Sequence, residues 1–204
     1  MQLIGMLDSP YVRRVAISLA VLGLPFEHYS VSVFRHYDEF AKINPVVKAP
    51  TFVADDGTVL IDSTLILDHL DHQVAPASRL LPQESGARLP ALSVIGFALA
   101  ATEKAMQTVY ERNLRPQQWQ YEPWVERVQK QMHAAYGQLE TRLAGREGWL
   151  FGEHLMQPDI TVAVAWRFTQ FMLPGAVDAV RYPALAAFSE RAEALPAFIG
   201  APLE

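Results

Sequence analysis

Two serines in the first third of the chain stand where a hydroxyl group can do chemistry. Ser9 precedes Pro10, which opens an apolar stretch that predicts a helix over residues 10–22. Ser63 begins a second predicted helix, 63–71. A hydroxyl at a helix start lies beside unpaired backbone amides and the positive end of the helix dipole, so it can stabilise a bound anion. Both serines are therefore candidate anion-binding residues.

Each serine also has a purely structural interpretation as a helix cap. In that role the hydroxyl of Ser9 accepts a backbone amide, and its replacement by alanine costs about 1 kcal/mol. In the functional role it donates to a thiolate, and each pKa unit by which it depresses the thiol corresponds to about 1.4 kcal/mol. Spacing alone favours the cap for Ser9, and for Asp62 or Ser63 at the second helix. The spacing does not exclude the functional role for either serine.

Composition excludes several classes of site. The chain has no cysteine, so it has neither a disulfide nor a thiolate nucleophile of its own, and any thiol chemistry must use a borrowed thiol. The net charge of -5 and a pI near 5.7 argue against nucleic-acid and membrane partners. His69 and His72 are predicted on a solvated helix face, so we expect no metal. Without a signal peptide or a predicted membrane span, a soluble cytoplasmic protein is expected.

The elements that must position the serines follow an α/β order. The hydrophobic pattern predicts a buried strand on either side of the first helix, then a short helix, then a hairpin around Asp55-Asp56-Gly57. The predicted strands are 2–7, 26–33, 50–54 and 58–61, and the short helix lies within 35–42.

Over residues 76–85 the composition changes to proline, serine and small polar residues. The segments after residue 85 have the sequence pattern of helices. The predicted domains are 1–76 and 86–204, joined by a linker at 77–85. The second domain holds predicted helices at 86–114, 122–143, 158–172 and 182–195. The third of these is apolar on most faces, as expected of a central buried helix. The pattern therefore predicts an α/β domain followed by an all-helical one.

Three segments of the first domain carry a family resemblance. They are SPYVRR at 9–14, NPVVKAPT at 44–51 and IDS at 61–63. In this order they resemble the thiol-binding domain of the glutathione S-transferase superfamily, most closely the bacterial serine-type enzymes. The resemblance implies a thioredoxin-like N-terminal domain with a mixed four-stranded sheet, an all-helical C-terminal domain, a homodimer, and glutathione as co-substrate without a bound cofactor.

The resemblance assigns a role to each matching residue. Ser9 would be the catalytic hydroxyl that stabilises the thiolate of glutathione. Ala49 would pair its backbone with the cysteinyl residue of glutathione, positioned by a cis Pro50. Lys48 matches a position near the glycine carboxylate of glutathione, and His36 is a weaker candidate for the same group.

The γ-glutamyl end of glutathione would bind at the second helix. There the resemblance gives its α-carboxylate to the amide and hydroxyl of Ser63, while Asp62 would face its amino group or hold the turn. Tyr11 is a rival catalytic hydroxyl, but it follows Pro10 inside the helix, whereas the tyrosine-type enzymes use one at the end of the first strand. Ser9 fits the pattern better.

The second substrate is expected between the domains. Candidate pocket residues are Leu7, Tyr11, Met106, Tyr110, Asn113 and Trp166. Arg13 and Arg14 are interpreted as a solvated helix face or structural ion pairs and are left out of the site. The family's helix-capping motif ends in Asp159, but Met156 stands where a serine or threonine is usual, so Asp159 must find a backbone or water partner.

The resemblance implies a glutathione transferase that activates the thiol of glutathione for attack on an electrophilic or hydroperoxide substrate, with detoxification as its role and peroxidase as a possible side activity. One alternative is a binding or regulatory protein that keeps the fold without catalysis. Another is a glutathione-dependent lyase or reductase, although reductases usually need a protein thiol that this chain lacks.

Overall fold

The computed structural model describes residues 1–203, which divide into two compact units. The first unit comprises Met1–Gln83 together with the chain from Ala194 onward, and the second is Glu84–Glu193. This differs from the predicted helical domain 86–204. The segment beyond Glu193 belongs to the first unit because its carbonyl groups are bound by a side chain of that unit, as described below.

The first unit is built on a four-stranded mixed sheet, as predicted. The strands are β1 (Gln2–Ile4), β2 (Glu27–Tyr29), β3 (Thr51–Val53) and β4 (Val59–Ile61). Their order is β2-β1-β3-β4, with β1 parallel to β2 and antiparallel to β3, and with β3 antiparallel to β4.

The strands are shorter than predicted, and β2 shows why. The chain turns at Ser32, whose hydroxyl accepts the backbone amides of Phe34 and Arg35 at 3.2 and 3.1 Å. A serine that binds amides two and three residues ahead offers the backbone an alternative to sheet pairing. The predicted strand 26–33 therefore ends at Tyr29.

Eight α-helices lie within residues 1–203 and complete the two units. They are α1 (Pro10–Val21), α2 (Tyr37–Ile43), α3 (Ser63–His72), α4 (Ser85–Asn113), α5 (Glu122–Leu143), α6 (Gln157–Met172), α7 (Pro183–Glu193) and α8 (Pro196–Ile199). The short α8 was not predicted, because four residues are too few to show a hydrophobic period.

The core of the first unit lies between the sheet and α1. Leu3 of β1 and Phe52 of β3 are fully buried, as are Val12 and Val15 of the predicted apolar stripe of α1. Helix α1 also packs against α3 and α8. The sheet and α3 therefore fix the position of the first turn of α1, where Ser9 lies.

The second unit is helical, with α6 at its centre. All residues of α6 from Gln157 to Trp166 are buried, which confirms the predicted central helix. Helix α4 packs against α5 and α6. One finding departs from prediction: α4 is long and apolar enough, by length and composition only, to cross a membrane. The core helix of a soluble protein passes the same test.

Asp159 holds the start of α6, as predicted from the missing hydroxyl at Met156. Its carboxylate accepts the backbone amides of Leu150 and Met156, both at 2.8 Å. Burial raises the pKa of Asp159 to about 6, although these two amide hydrogen bonds act in the opposite direction. The partners of Asp159 are therefore backbone amides, and the serine or threonine that is usual at position 156 is not needed to hold its carboxylate.

Candidate functional site

Ser9 is the N-cap of α1, as the sequence predicts. Its hydroxyl accepts the backbone amide of Val12 at 3.4 Å, a long contact for a hydrogen bond. Pro10 occupies the first helical position. Because a hydroxyl has one donor and two acceptor positions, the cap leaves the proton of Ser9 available to another acceptor. The capping and the functional interpretations of Ser9 are therefore compatible.

Gly5, at the end of β1, allows the backbone segments of the site to approach one another. It has φ of +133°, and a β-carbon added there would lie 2.7 Å from Cγ2 of Val12 and 3.0 Å from Cβ of Ala49. Sequence reasoning missed this residue. The signal was a glycine inside the predicted strand 2–7, which often marks a close backbone approach.

The Ala49-Pro50 peptide bond is cis, as the resemblance implied. Pro50 is buried and Ala49 is half-buried, immediately before β3. Asn44 helps to fix this loop, because its amide donates to the hydroxyl of Thr51 at 2.9 Å. The hydroxyl of Thr51 in turn donates to the carbonyl of Lys48 at 2.7 Å.

Asp62 is the N-cap of α3 and has a left-handed backbone with φ of 72°. Its carboxylate accepts the amide of Thr64 at 2.9 Å. Burial acts to raise the pKa of Asp62, but this hydrogen bond and the charge of Lys48 lower it below its ordinary value. Asp62 is therefore ionised at neutral pH. Ser63 is buried at the first helical position, where backbone amides are left unpaired by the helix itself.

Lys48 lies beside Asp62, an arrangement that the sequence did not predict. The Nζ of Lys48 is 3.6 Å from Oδ2 of Asp62, and both side chains are about half exposed. His36 is exposed and immediately precedes α2, where its Nδ1 accepts the backbone amide of Ser32 at 3.4 Å. With Nδ1 accepting, Nε2 carries the hydrogen of the neutral ring.

Arg13 and Arg14 do not form the solvated helix face that was expected. Both are only 2% exposed. Arg13 donates from Nε to the carbonyl of Ala201 at 2.7 Å and from Nη2 to that of Phe198 at 3.5 Å. Arg14 instead has two buried nitrogens without a hydrogen bond, among the residues the structure describes. The expectation failed because the partners of Arg13 lie nearly the whole chain away.

The predicted second-substrate residues are divided between the two units. Leu7 is buried and Tyr11 half-buried in the first unit, while Met106 is half-buried and Asn113 exposed in the second. Tyr110 is 42% exposed and lines a cavity of about 440 Å³ with Leu114, Trp119 and Trp124.

Trp166, another of the predicted second-substrate residues, lies in the core of the second unit. It is 4% exposed, and its ring contacts Tyr136 and Tyr182 at centroid distances of 5.3 and 5.8 Å. Among residues 1–203, no group of three or more His, Cys, Asp or Glu side chains is arranged to hold a metal ion.

Two family models match the chain. A glutathione S-transferase N-terminal domain matches residues 3–78, and a glutathione S-transferase C-terminal domain matches residues 122–191. Together they span both units and most of the length. The chain belongs to the glutathione S-transferase superfamily.

Individual members of the superfamily are similar over nearly the whole chain. An uncharacterized GST-like protein of Escherichia coli, YibF, is 27% identical over 84% of this chain and 83% of its own. The maleylacetoacetate isomerase of Pseudomonas aeruginosa is 26% identical over 91% of this chain and 87% of its own length. A glutathione S-transferase structure from Methylobacterium radiotolerans, in complex with glutathione sulfonate, is 27% identical, with a TM-score of 0.91 over 100% of this chain and 95% of that one.

Proposed function

We propose that this protein is a glutathione transferase of the serine type. It binds glutathione on its first unit, and the hydroxyl of Ser9 stabilises the thiolate by donating a hydrogen bond. The observation that carries the proposal is the position of Ser9 at the N-cap of α1, with its hydroxyl proton not used by the cap. The complex of the Methylobacterium enzyme with glutathione sulfonate supports glutathione as the ligand.

Each part of glutathione has a proposed partner. The thiolate receives a hydrogen bond from Ser9 and is favoured by the dipole of α1. The cysteinyl backbone pairs with Ala49 next to Pro50. At the start of α3, the γ-glutamyl carboxylate binds the amide and hydroxyl of Ser63, while the carboxylate of Asp62 faces the amino group.

At the other end of glutathione, the glycine carboxylate is assigned to His36, whose Nε2 carries the donor hydrogen. Lys48 is a point charge beside Asp62, so it also contributes to the field at the γ-glutamyl end. Tyr11, on the first unit, offers a hydroxyl and ring surface for the second substrate. We propose that the protein acts in the cytoplasm as a homodimer.

The proposed reaction is addition of the thiolate to an electrophilic carbon. A carbon–sulfur bond forms, and either a leaving group departs with the bonding electrons or a double bond takes up a proton from solvent. The protein contributes proximity and a lowered thiol pKa. A hydroperoxide is the proposed substrate class for a side activity.

The similarity to the Pseudomonas isomerase favours a second candidate, a glutathione-dependent cis–trans isomerase. In that reaction the same thiolate adds to a double bond, the resulting single bond rotates, and the thiol is eliminated again. Glutathione is regenerated, whereas in the transferase reaction it is consumed. Product analysis therefore separates the two candidates.

The test is a calorimetric titration with reduced glutathione in two buffers of different ionisation enthalpy. Saturable binding with proton release near neutral pH is the expected result, because the thiol gives up its proton on the protein. Saturable binding without proton release would contradict the role of Ser9. No binding at millimolar glutathione would contradict the transferase and isomerase candidates together and favour a non-catalytic protein.

A further inference from the structure

Arg14 carries a charge inside the first unit without the contacts that such a charge normally has. Its side chain is 2% exposed, and its Nε and Nη1 are buried and form no hydrogen bond within residues 1–203. Buried charged groups in proteins are usually paired and hydrogen-bonded, because removing them from water is costly. The positive charge of Arg14 is therefore only partly balanced by hydrogen bonds and charges of the described residues.

Arg13 provides the matched comparison. It precedes Arg14 on the same helix and is equally buried, but its guanidinium donates to the carbonyls of Ala201 and Phe198 and lies 5.7 Å from the centroid of the Phe198 ring. Burial on α1 therefore does not by itself leave an arginine without partners. The incomplete pairing is particular to Arg14.

The carboxylate that acts on Arg14 belongs to Asp62, at the start of α3. Burial lowers the pKa of Arg14 to about 10, while the charge of Asp62 acts in the opposite direction, so the guanidinium remains a cation at neutral pH. Lys48 lies 3.6 Å from the same carboxylate. Helices α1 and α3 pack against each other. The first turn of α3 thus has two cations and one carboxylate near it, with one positive charge in excess.

We propose that Arg14 is a specificity-determining residue for a ligand that presents an α-amino acid head group, with a carboxylate and an ammonium, to the first turn of α3. The proposal rests on the proposed function, in which this head group is the γ-glutamyl end of glutathione. Asp62 can pair with the ammonium, but its charge would repel the carboxylate bound beside Ser63. The guanidinium of Arg14 offsets that repulsion.

Arg14 acts on the ligand as a positioning residue, through its charge and through Asp62. Its Nε and Nη1 have no solvent-accessible surface, so a bound ligand does not reach them. Because the side chain is only 2% exposed, its charge acts in a medium of low dielectric constant, where salt screens it little. This distinguishes Arg14 from Lys48, whose ammonium is half exposed.

The test compares Arg14→Met with Arg13→Met. Methionine keeps much of the length of arginine but removes its charge. Without ligand, Arg14→Met should melt at a higher temperature than the wild type, because an incompletely paired buried charge is removed. Arg13→Met should melt at a lower temperature, because two carbonyls lose their donor. A purely structural Arg14 would instead behave like Arg13.

Binding supplies the second readout, by calorimetry with glutathione and with an analogue in which the γ-glutamyl group is replaced by 4-aminobutyryl, so that only the carboxylate is missing. The wild type should bind glutathione more tightly than the analogue. In Arg14→Met the ratio of the two affinities should be about ten-fold smaller, equivalent to about 1.4 kcal/mol. Arg14→Lys keeps the charge and should retain most of the preference.

Three results would overturn the inference. One is an unchanged preference in Arg14→Met, and another is a ligand-free melting temperature that falls as it does in Arg13→Met. In both, glutathione still binds the wild type, so the proposed function survives. If the wild type binds neither ligand, the proposed function and the inference fail together.

Discussion

Gly5 lies so close to Val12 that a β-carbon on the glycine would be 2.7 Å from Cγ2 of the valine. The same β-carbon would be 3.0 Å from Cβ of Ala49. One missing methyl group thus lets the first turn of α1 and the loop before β3 approach the end of β1 together. In the proposed function, these are the segments that hold the thiol and the cysteinyl backbone of glutathione.

We therefore expect Gly5→Ala to lower both stability and glutathione affinity. The added methyl group must displace Val12 or Ala49, and the φ of +133° is unfavourable for alanine. Overpacking of this kind costs about 1 to 3 kcal/mol. Urea unfolding and calorimetric titration measure the two effects.

Gly96→Ala is the matched control, because Gly96 lies in α4 and an added β-carbon would meet nothing within 4 Å. Alanine is a better helix former than glycine by about 1 kcal/mol, so this variant should be as stable as the wild type or more so. If Gly5→Ala were equally harmless, the close approach at Gly5 would have no energetic consequence.

Ser9→Ala should reduce turnover with an aryl halide electrophile much more than it reduces glutathione affinity. Without the hydroxyl donor the pKa of the bound thiol rises, and a rise of about two units lowers the thiolate fraction about 100-fold near neutral pH. The pH dependence of thiolate absorbance in the complex measures that pKa directly. Stability should fall by only about 1 kcal/mol, the usual value of a cap.

Ser9→Thr is the control for this experiment, since it keeps a hydroxyl at the N-cap of α1. It should retain a lowered thiol pKa and most of the cap stability. Equal turnover in Ser9→Ala and the wild type would reduce Ser9 to its capping role and leave Tyr11 as the next hydroxyl to test.

Lys48→Met should weaken glutathione binding at low ionic strength and have little effect at high ionic strength. The ammonium and the Asp62 carboxylate are each about half exposed, so salt screens the field that Lys48 contributes. Stability should change by less than about 1 kcal/mol, as for other exposed ion pairs. Titrations at two salt concentrations check this, and a loss of affinity that persists at high salt would speak against it.

The contribution of Asp159 to the stability of the protein should fall as the pH rises from about 4 to about 6. The pKa of this buried carboxyl is about 6 in the folded protein, against 3.8 as its ordinary value. The folded state therefore binds the proton more tightly than the unfolded state. The contribution of protonated Asp159 is complete below pH 3.8 and lost above pH 6. It is on the order of 3 kcal/mol.

Asp159→Asn isolates this contribution. The asparagine side chain does not titrate, so the difference in unfolding free energy between wild type and variant should change across the same pH interval. The Asp159→Asn variant should also be less stable than the wild type at neutral pH. Its side chain has one carbonyl oxygen in place of the two carboxylate oxygens that accept the amides of Leu150 and Met156. A difference that does not vary with pH would show that Asp159 does not titrate in this range.

Local signals predicted much of the fold. Pro10 after Ser9 fixed the start of α1, and Asp55-Asp56-Gly57 indicated the turn between β3 and β4, with Gly57 at φ of +84°. These residues act on their immediate neighbours, so their effect can be inferred without knowing the rest of the chain. The same holds for the cap of α3, which was predicted as Asp62 or Ser63 and is Asp62 in the structure.

Features that depend on distant partners were not predictable in this way. Arg13 is buried because Ala201 and Phe198 accept its hydrogen bonds, and nothing near Arg13 in the sequence indicates this. The arrangement of Lys48 beside Asp62 likewise depends on how the loop before β3 meets α3. Trp166 looked like a pocket residue because of its type alone, whereas its burial depends on Tyr136 and Tyr182.

The return of the segment from Ala194 to the first unit has a consequence for the order of folding. The guanidinium of Arg13 is synthesised early, but its acceptors at Phe198 and Ala201 leave the ribosome only after α4 to α7 have been made. The first unit therefore cannot complete its packing when its own sequence first emerges. Its strands and α1 are translated before α4 to α7, but the unit is finished only after α7 has been made.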